Sequence, residues 1–209
     1  MNIIFDLDGT LWNSSETVFK SWSNIFLHEN INITLKEIKN LFGLTNPDII
    51  KWLMKEKGIN KKYAEKILYK CQQEEIEFIK KEGGILYDCI KETLNKLSKK
   101  YNLFIVSNCQ QGYIEAFLQF YKFNKYFKDF ECSGNTGKDK SYNINLVIKR
   151  NKLNNVIYVG DTFDDSIASF KCNIPFVYAT YGFGKVNYSK YKIDNFKDLI
   201  NLCYNLERS

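Results

Sequence analysis

Apolar residues in the first part of the chain form one short strand-like run and then a long series of helix-like stripes. Residues 2–5 are largely apolar and lead into an aspartate, which is typical of a buried strand followed by a loop. Beyond them, apolar residues recur every three or four positions as far as the glycine pair at 83–84. The spacing predicts four helices, at about 15–29, from 34, from 46 to 58 and from 61 to 81, with Thr34 and Glu37 as a capping box and Asn46 as the N-cap before Pro47.

After the glycine pair, strands and helices alternate. Apolar runs predict strands at 103–106, 130–132, 156–159 and 175–178, and helical spacing predicts helices at about 88–100, 111–121, 142–151, 165–171 and from 196. Strands that are apolar throughout indicate a parallel sheet covered on both faces. The predicted fold class is α/β: a Rossmann-like doubly wound parallel sheet of residues 1–13 and 84–209, with a small all-helical cap domain, residues 14–83, inserted after the first strand.

Composition and charge narrow the class of protein. The chain has 209 residues, of which 44% are hydrophobic and 26% charged, so it can bury a sizeable core and is neither fibrous nor disordered. The net charge is +6, and many lysines occur in pairs without forming a dense basic run. This pattern disfavours a nucleic-acid partner and is compatible with a small anionic partner. Because no apolar stretch reaches the length of a membrane span, we expect no membrane association.

Cysteine and histidine usage exclude several kinds of site. The six cysteines form no CxxC pair, and the apolar start is interrupted by Asp6 before a signal peptide could be complete. Reduced thiols in a cytoplasmic protein are therefore expected. His28 is the only histidine, and it falls in a predicted amphipathic helix, so a mechanism that needs two histidines is excluded.

Two carboxylates follow the first strand. Asp6 and Asp8 stand at i and i+2 before Gly9, which permits a sharp turn. Such a pair can share a site in which Mg²⁺ is bound by oxygen, one carboxylate attacks a phosphoryl group and the other transfers protons. Two solvated aspartates at a strand-to-turn junction are the alternative.

Polar residues also follow two later strands. Ser107 and Asn108 end one strand and could donate to a phosphate oxygen, although Ser-Asn is also common in turns. Asp161 and Asp165 follow another strand, where an aspartate could instead be a helix N-cap. Parallel sheets bind ligands at the carboxyl ends of their strands, so the joint occurrence of these groups predicts one site.

The chain resembles the haloacid dehalogenase superfamily, in particular its phosphoglycolate-phosphatase-like branch with a helical cap. The resemblance rests on DLDGTL at the start, Ser-Asn after the second strand, a lysine loop, YVGDT with a later aspartate, and YGFG at 181–184. It implies that Asp6 is the nucleophile that becomes phosphorylated and that Asp8 is the general acid and base, with its main-chain carbonyl towards a Mg²⁺ ion. It also implies that Thr10 supports this loop and belongs to the substrate-binding residues. Ser107 and Asn108 would bind the phosphoryl group.

The same resemblance assigns the remaining charged groups. Asp161 would complete a metal site formed with Asp6 and Asp8, and Asp165 would lie beside it or just behind its ligands. The family also has a lysine that stabilises phosphoryl charge, for which Lys138 and Lys140 both qualify. Many relatives have Lys-Pro-x-Pro at this place and this chain lacks both prolines, so the choice stays open. Lys140 is favoured because it directly precedes a predicted helix.

The resemblance implies a Mg²⁺-dependent phosphatase that hydrolyses a small-molecule phosphate monoester through an aspartyl-phosphate intermediate. Its partner would be a small phosphorylated metabolite, and the protein a monomer or homodimer. Alternatives are a phosphosugar mutase of the same superfamily and a regulatory or binding module that retains the site. Asp8 argues against dehalogenases and ion-pumping ATPases, which lack an acid there. Residues 12–15, Trp-Asn-Ser-Ser, depart from the Asp-Ser common in relatives, which leaves substrate preference undetermined.

Overall fold

A six-stranded parallel sheet forms the centre of the molecule in the computed structural model, which describes residues 1–208. Six of the eight strands in the described part of the chain belong to this sheet, and β2 and β3 form a separate pair. In chain order the strands are β1 (Asn2–Phe5), β2 (Trp12–Asn13), β3 (Ile85–Leu86), β4 (Asn102–Ser107), β5 (Phe127–Cys132), β6 (Val156–Gly160), β7 (Phe176–Ala179) and β8 (Tyr191–Ile193). The sheet order is β5-β4-β1-β6-β7-β8, with β1 pairing parallel to both β4 and β6. The predicted α/β fold is confirmed.

The described residues contain ten helices, which either cover the sheet or form the inserted segment. They are α1 (Ser15–His28), α2 (Leu35–Leu41), α3 (Asn46–Lys57), α4 (Lys61–Glu82), α5 (Ile90–Leu97), α6 (Tyr113–Tyr121), α7 (Ser133–Thr136), α8 (Lys140–Arg150), α9 (Phe163–Lys171) and α10 (Asp198–Leu206). Successive β1 residues point to opposite faces, so Ile3 joins a core with α5, α6 and α10, and Ile4 joins another with α8 and α9. Both faces of the sheet are therefore covered. No helix within residues 1–208 combines the length and apolarity needed to cross a membrane.

The inserted helices α1 to α4 pack around an apolar cluster of their own. Trp22, Leu53 and Ile67 are among its buried members, and α1 packs along α4. The chain enters this helical part after β2 and leaves it before β3, and these two short strands pair antiparallel. We keep residues 1–13 with 84–209 and residues 14–83 as proposed domains, and we call the helical part the cap.

Capping residues determine where several of the helices begin. The predicted capping box is present, because Thr34 Oγ1 accepts from the Glu37 amide at 3.2 Å and the Thr34 amide donates to Glu37 at 2.8 Å. Asn46 is not the N-cap as predicted: Thr45 has the extended N-cap conformation and Asn46 is the first helical residue. The helix predicted from 142 begins at Lys140, because Asp139 accepts from an amide of its first turn.

Other differences concern short elements. The strands β2, β3 and β8 and the single-turn helix α7 were not predicted, because two to four residues are too few to show a periodicity. The helix predicted at 165–171 begins at Phe163, and the one predicted at 88–100 extends from Ile90 to Leu97. None of these shifts changes the order of the large elements.

Candidate active site

The predicted polar residues meet at one edge of the sheet. Asp6 follows β1, Ser107 ends β4 and Asp161 follows β6, and these three strands are neighbours in the order β4-β1-β6. Each of the three residues is buried. Since the strands are parallel, their carboxyl ends bring residues that are far apart in sequence into one crevice.

Lys140 is the lysine that reaches this crevice. Its Nζ lies 2.9 Å from Asp6 Oδ1 and 2.6 Å from Asp165 Oδ1, and the side chain is 4% exposed. Burial lowers the pKa of Lys140, but the charges of Asp165 and Asp6 outweigh this and raise that pKa above its usual value. Lys138 is exposed on the surface. The geometry thus selects Lys140 over Lys138 as the lysine beside Asp6.

Asp161 is fixed by the loop after β7. The amides of Phe183 and Gly184 donate to its Oδ2 at 2.8 and 3.1 Å, and Thr10 Oγ1 donates to its Oδ1 at 3.2 Å. Burial raises the pKa of Asp161 to about 7, and the charge of Asp165 adds to the shift. The glycine-aromatic loop at 181–184 therefore orients an acidic side chain of the site, a role that its sequence did not indicate.

Asp165 is saturated with donors from the protein. Its Oδ2 accepts from the amides of Asp161 and Thr162 and from the Thr162 hydroxyl, at 2.7–3.1 Å. Its Oδ1 accepts from Lys140 and from the Tyr158 hydroxyl, the latter at 3.3 Å. Asp165 is also the N3 residue of the capping box of α9, with Thr162 as the N-cap. This carboxylate holds Lys140 and the start of α9 in place.

Three carboxylates could hold a cation. Oxygens of Asp6, Asp161 and Asp165 lie within 4.8 Å of one another, and all three residues are buried. Burial, opposed by Lys140, raises the pKa of Asp6 well above its usual value, and the nearby Asp165 and Asp161 charges contribute. An oxygen-only donor set with several negative charges fits a hard divalent cation such as Mg²⁺. The side chain of Asp8 is outside this cluster.

Asp8 occupies a separate environment. Its Oδ1 accepts from Ser14 Oγ at 2.5 Å and from the Tyr113 hydroxyl at 2.8 Å, and the hydroxyl oxygens of Tyr113 and Ser14 lie 3.0 Å apart. Burial raises the pKa of Asp8 to about 6 against the effect of these hydrogen bonds. The two carboxylates of the first motif are thus held by different partners.

Ser14 and Tyr113 were not predicted as site residues. Ser14 lies in the segment 12–15 that departs from the relatives' Asp-Ser, and this departure was the available signal. Tyr113 begins α6 and is 1% exposed, so in sequence it is indistinguishable from a core aromatic residue. Its hydroxyl contact to Asp8 depends on how α6 packs against the loop after β1.

Asn108 connects the sheet edge to the cap. Its Nδ2 donates to the Gly43 carbonyl at 2.8 Å, and its Oδ1 accepts from Ser133 at 3.0 Å. Ser107 Oγ makes a long contact, 3.4 Å, with the Cys109 amide. Of the predicted phosphoryl-binding pair, Asn108 therefore contacts the cap, whereas Ser107 remains directed to its own loop.

The cap covers the crevice and leaves a cleft. The rings of Phe42, in the cap, and Phe183, in the loop after β7, are stacked with centroids 4.8 Å apart. The cleft has an empty volume of about 590 Å³, part of it open to solvent. Its lining combines Asp6 and Asp8, from the loop after β1, with apolar cap side chains. A small ligand at the sheet edge would therefore be partly enclosed.

Comparison with known proteins places this geometry in a family. Residues 3–179 match the sequence profile of the haloacid dehalogenase-like hydrolases. A predicted phosphatase from Clostridium acetobutylicum superposes with a TM-score of 0.80 at 22% identity, over 98% of each chain. A haloacid dehalogenase-like family protein from Streptococcus pneumoniae gives 0.84 at 19% identity, over 97% of each chain. A search of curated proteins found no match.

A third similar structure carries a more specific description. It is a predicted phosphoglycolate phosphatase from Haemophilus somnus, with a TM-score of 0.79 at 20% identity over 97% of each chain. At these identities the structural likeness supports the fold. The sequence profile spans most of the chain, and the resemblance noted from DLDGTL and the later motifs is confirmed. The chain belongs to the haloacid dehalogenase-like hydrolase family.

Proposed function

We propose that the protein is a Mg²⁺-dependent phosphatase that hydrolyses a small-molecule phosphate monoester through a phosphorylated Asp6. The observation that supports it most is the difference in surroundings between two carboxylates that stand two residues apart. Asp6 contacts Lys140 and the acidic cluster, whereas Asp8 contacts Ser14 and Tyr113. A nucleophile and a proton donor need such different surroundings.

The chain's own residues account for two chemical steps. In the first, an oxygen of Asp6 bonds to phosphorus, the bond from phosphorus to the ester oxygen breaks, and Asp8 donates its proton to that oxygen. In the second, Asp8 takes a proton from water, whose oxygen bonds to phosphorus as the bond to Asp6 breaks. Lys140 places positive charge beside Asp6 in both steps.

The metal would be held by Asp6 and Asp161, and the resemblance implies the Asp8 main-chain carbonyl as a further ligand. When bound, a divalent cation would supply charge that reduces the repulsion between Asp6 and an anionic phosphoryl group. Asp165 already accepts from five groups. We therefore assign it to positioning Lys140 beside the cation rather than to direct ligation. The enclosing cap would limit access of bulk water.

The cleft favours hydrolysis over the mutase alternative. A mutase that works through a bisphosphate must hold a phosphate at each end of the molecule. Among the described residues that line the cleft, none is lysine, arginine or histidine. The single cation of the site, Lys140, lies beneath Asp6, so a second phosphate at the cap end would have no counter-charge.

Replacement of the nucleophile tests the proposed reaction. The variant Asp6→Asn should lower the release of phosphate from p-nitrophenyl phosphate in Mg²⁺ by at least about 10³-fold, because a covalent nucleophile is removed. The matched control is Asp164→Asn, in an exposed position of the motif after β6, which should retain wild-type turnover. Turnover by Asp6→Asn at the control's rate would refute the phosphorylated-aspartate route. A wild-type protein that binds Mg²⁺ but hydrolyses no ester of a panel would favour the binding module.

A further inference from the structure

An apolar stripe runs along the outer side of α9. Phe163, Ile167 and Phe170 stand at positions i, i+4 and i+7 of this helix, and they are 60%, 37% and 80% exposed. This spacing places the three side chains on one side of the helix. An exposed helix normally presents polar residues to solvent on that side. These three residues, which we call the α9 stripe, therefore call for an explanation.

The fold and the candidate active site make no use of the α9 stripe. The opposite side of α9 packs onto the sheet, where Ala168 belongs to a buried apolar cluster and Ser169 is fully buried. Asp165, also on that side, binds Lys140. The cleft is lined by other residues, with no contribution from the stripe. The stripe is thus a surface that faces away from the site.

The apolar surface is large enough to form part of an interface. At the exposures given above, the two phenylalanines and the isoleucine present roughly 300–400 Å² to solvent. Apolar patches of this size on a single chain are often functional. The half-buried rings of Phe176 and Tyr178 extend the surface along β7, on the side of the sheet that α9 covers.

Two opposite charges flank one edge of the stripe. Asp164 directly follows Phe163, and Lys171 directly follows Phe170, so one step of the helix turns both charged residues to the same side of the stripe. Both are exposed. Neither forms a salt bridge with another residue of the described range 1–208. The edge therefore carries an acid near the start of α9 and a base at its end.

This arrangement is complementary to itself in one orientation. If two copies of α9 pack antiparallel about a two-fold axis near Ile167, Asp164 of each copy faces Lys171 of the other, and Phe163 lies against Phe170. Both salt bridges then form on the same edge. In a parallel two-fold pair, the charged edge of one helix would face the uncharged edge of the other. The charges therefore favour the antiparallel pair.

We propose that the α9 stripe is the interface of a homodimer, in which two copies of this chain pack their α9 helices antiparallel. The stripe supplies roughly half of the 800 Å² that each partner buries in a typical stable interface, so the dimer should be reversible. The proposal goes beyond the phosphatase function and does not rest on it. Of the two states expected from the sequence, monomer and homodimer, it selects the homodimer.

Sedimentation equilibrium of the whole chain measures the association directly. At low ionic strength, where exposed charges are screened least, the mean mass should rise from that of one chain towards that of two between about 1 and 200 µM. A mass that stays at one chain over the whole range would overturn the proposal. Assembly into larger species without a dimer would also overturn it, because a two-fold interface closes at two copies.

Charge reversal tests the orientation. Asp164→Lys and Lys171→Asp each place like charges opposite one another at two points, and each should weaken the dimer about tenfold. The double variant Asp164→Lys with Lys171→Asp exchanges the two charges and should restore the wild-type dissociation constant. If the double variant stays as weak as the single variants, the antiparallel pairing is wrong.

A change at the centre of the stripe tests the apolar contact. Ile167→Lys brings two lysines together near the axis and should weaken the dimer at least about tenfold. Leu27→Lys is the matched control: Leu27 is 75% exposed on α1 in the cap, away from the stripe, and its replacement should leave the dissociation constant unchanged. Equal dissociation constants for the two variants would refute the interface.

Two further readouts keep folding and catalysis apart from association. Thermal unfolding shows that Ile167→Lys is folded when it sediments as a monomer. Turnover of p-nitrophenyl phosphate should be the same in Ile167→Lys and the wild type, because Ile167 does not line the cleft. A wild-type protein that dimerises but hydrolyses no ester would refute the proposed function alone. One that hydrolyses esters as a monomer at every concentration would refute the dimer alone.

Discussion

At the scale of single residues, Lys140 balances the charge of the site. Its ammonium group contacts two buried carboxylates, Asp6 and Asp165, and is itself buried. A buried ion pair contributes modestly as a whole, but removal of one partner is costly because the other charge is left uncompensated. Both the chemistry proposed at Asp6 and the stability of the loop before α8 therefore depend on this one side chain.

Removal of this charge should damage both activity and folding. We expect Lys140→Gln to lower turnover of p-nitrophenyl phosphate by at least about 10²-fold and the free energy of unfolding by about 3 kcal/mol. The measurements are steady-state kinetics and urea denaturation. Lys138→Gln is the matched control, two residues earlier and exposed, and should resemble the wild type in both. Equal loss in the two variants would contradict the placement of Lys140.

Sequence reasoning found the acidic residues of the site but not the groups that orient them. Asp6 and Asp161 were predicted because each follows an apolar strand, and neighbouring parallel strands deliver their ends to one edge. Tyr113 lies in an amphipathic helix, where the sequence shows a stripe but not which neighbour a polar tip meets. Its contact with Asp8 depends on the packing of α6, which no local pattern encodes.

At the scale of elements, the loops after β1, β6 and β7 pack so closely that an added Cβ atom would clash. A Cβ atom on Gly182 would lie 2.2 Å from Asp161 Cβ and 2.4 Å from the Gly9 carbonyl oxygen. Gly9 has φ +82°, a conformation that side chains other than glycine rarely adopt. The two glycines allow the β7 loop to reach Asp161 and donate the amides of Phe183 and Gly184 to it.

A single methyl group should therefore displace this loop. We expect Gly182→Ala to reduce activity at least about tenfold and to raise the Mg²⁺ concentration needed for half-maximal activity, because Asp161 loses its amide donors. Gly137→Ala is the control: a Cβ there would meet no atom within 4 Å, although φ is +66°. It should cost about 1 kcal/mol of stability and leave the Mg²⁺ dependence unchanged. Titration with MgCl₂ distinguishes the two.

Element boundaries were predictable where a capping signal had a single interpretation. Thr34 and Glu37 gave the start of α2, whereas in the segment before α8 both Asp139 and the following polar residues could begin a helix. Asp139 caps α8, and this places Lys140 in its first turn with its side chain turned towards Asp6. Strands as short as β2 and β3 left no pattern to recognise.

At the scale of the whole molecule, three buried carboxylates repel one another in the absence of a cation. Asp6, Asp161 and Asp165 approach one another within 4.8 Å, with Lys140 as the neighbouring positive charge. A ligand that binds the folded state alone raises its stability with concentration. If the cluster is a cation site, the stability of the protein is therefore tied to the divalent ion.

Thermal unfolding with and without MgCl₂ measures this dependence. At about 100 times the dissociation constant, binding adds about 2.7 kcal/mol, which corresponds to roughly 5–10 °C in Tm for a chain of this size. Asp161→Asn should raise Tm in EDTA, because one repulsive charge is gone, and should abolish the Mg²⁺ shift. Asp164→Asn should retain the shift. A Tm that does not respond to Mg²⁺ in the wild type would contradict the cation site.

The topology of the molecule was largely predictable, and the docking of the cap was not. Alternation of apolar strands with helices was sufficient to predict the parallel sheet, because few other arrangements cover both faces. The contacts of Asn108 with Gly43 and of Phe42 with Phe183 join two separately packed bodies. Such contacts depend on how the surfaces of the two bodies fit together. The spacing of hydrophobic residues along either body does not describe that fit.

The pairing of β2 with β3 gives the helical part of the chain two adjacent ends. Trp12 pairs with Leu86 and Asn13 with Ile85, so the points of departure and return lie side by side. A tight turn between them would close the chain without altering any strand of the large sheet. We therefore propose that the four helices form one exchangeable module, whose replacement would change the lining of the cleft and leave the aspartates at the sheet edge in their places.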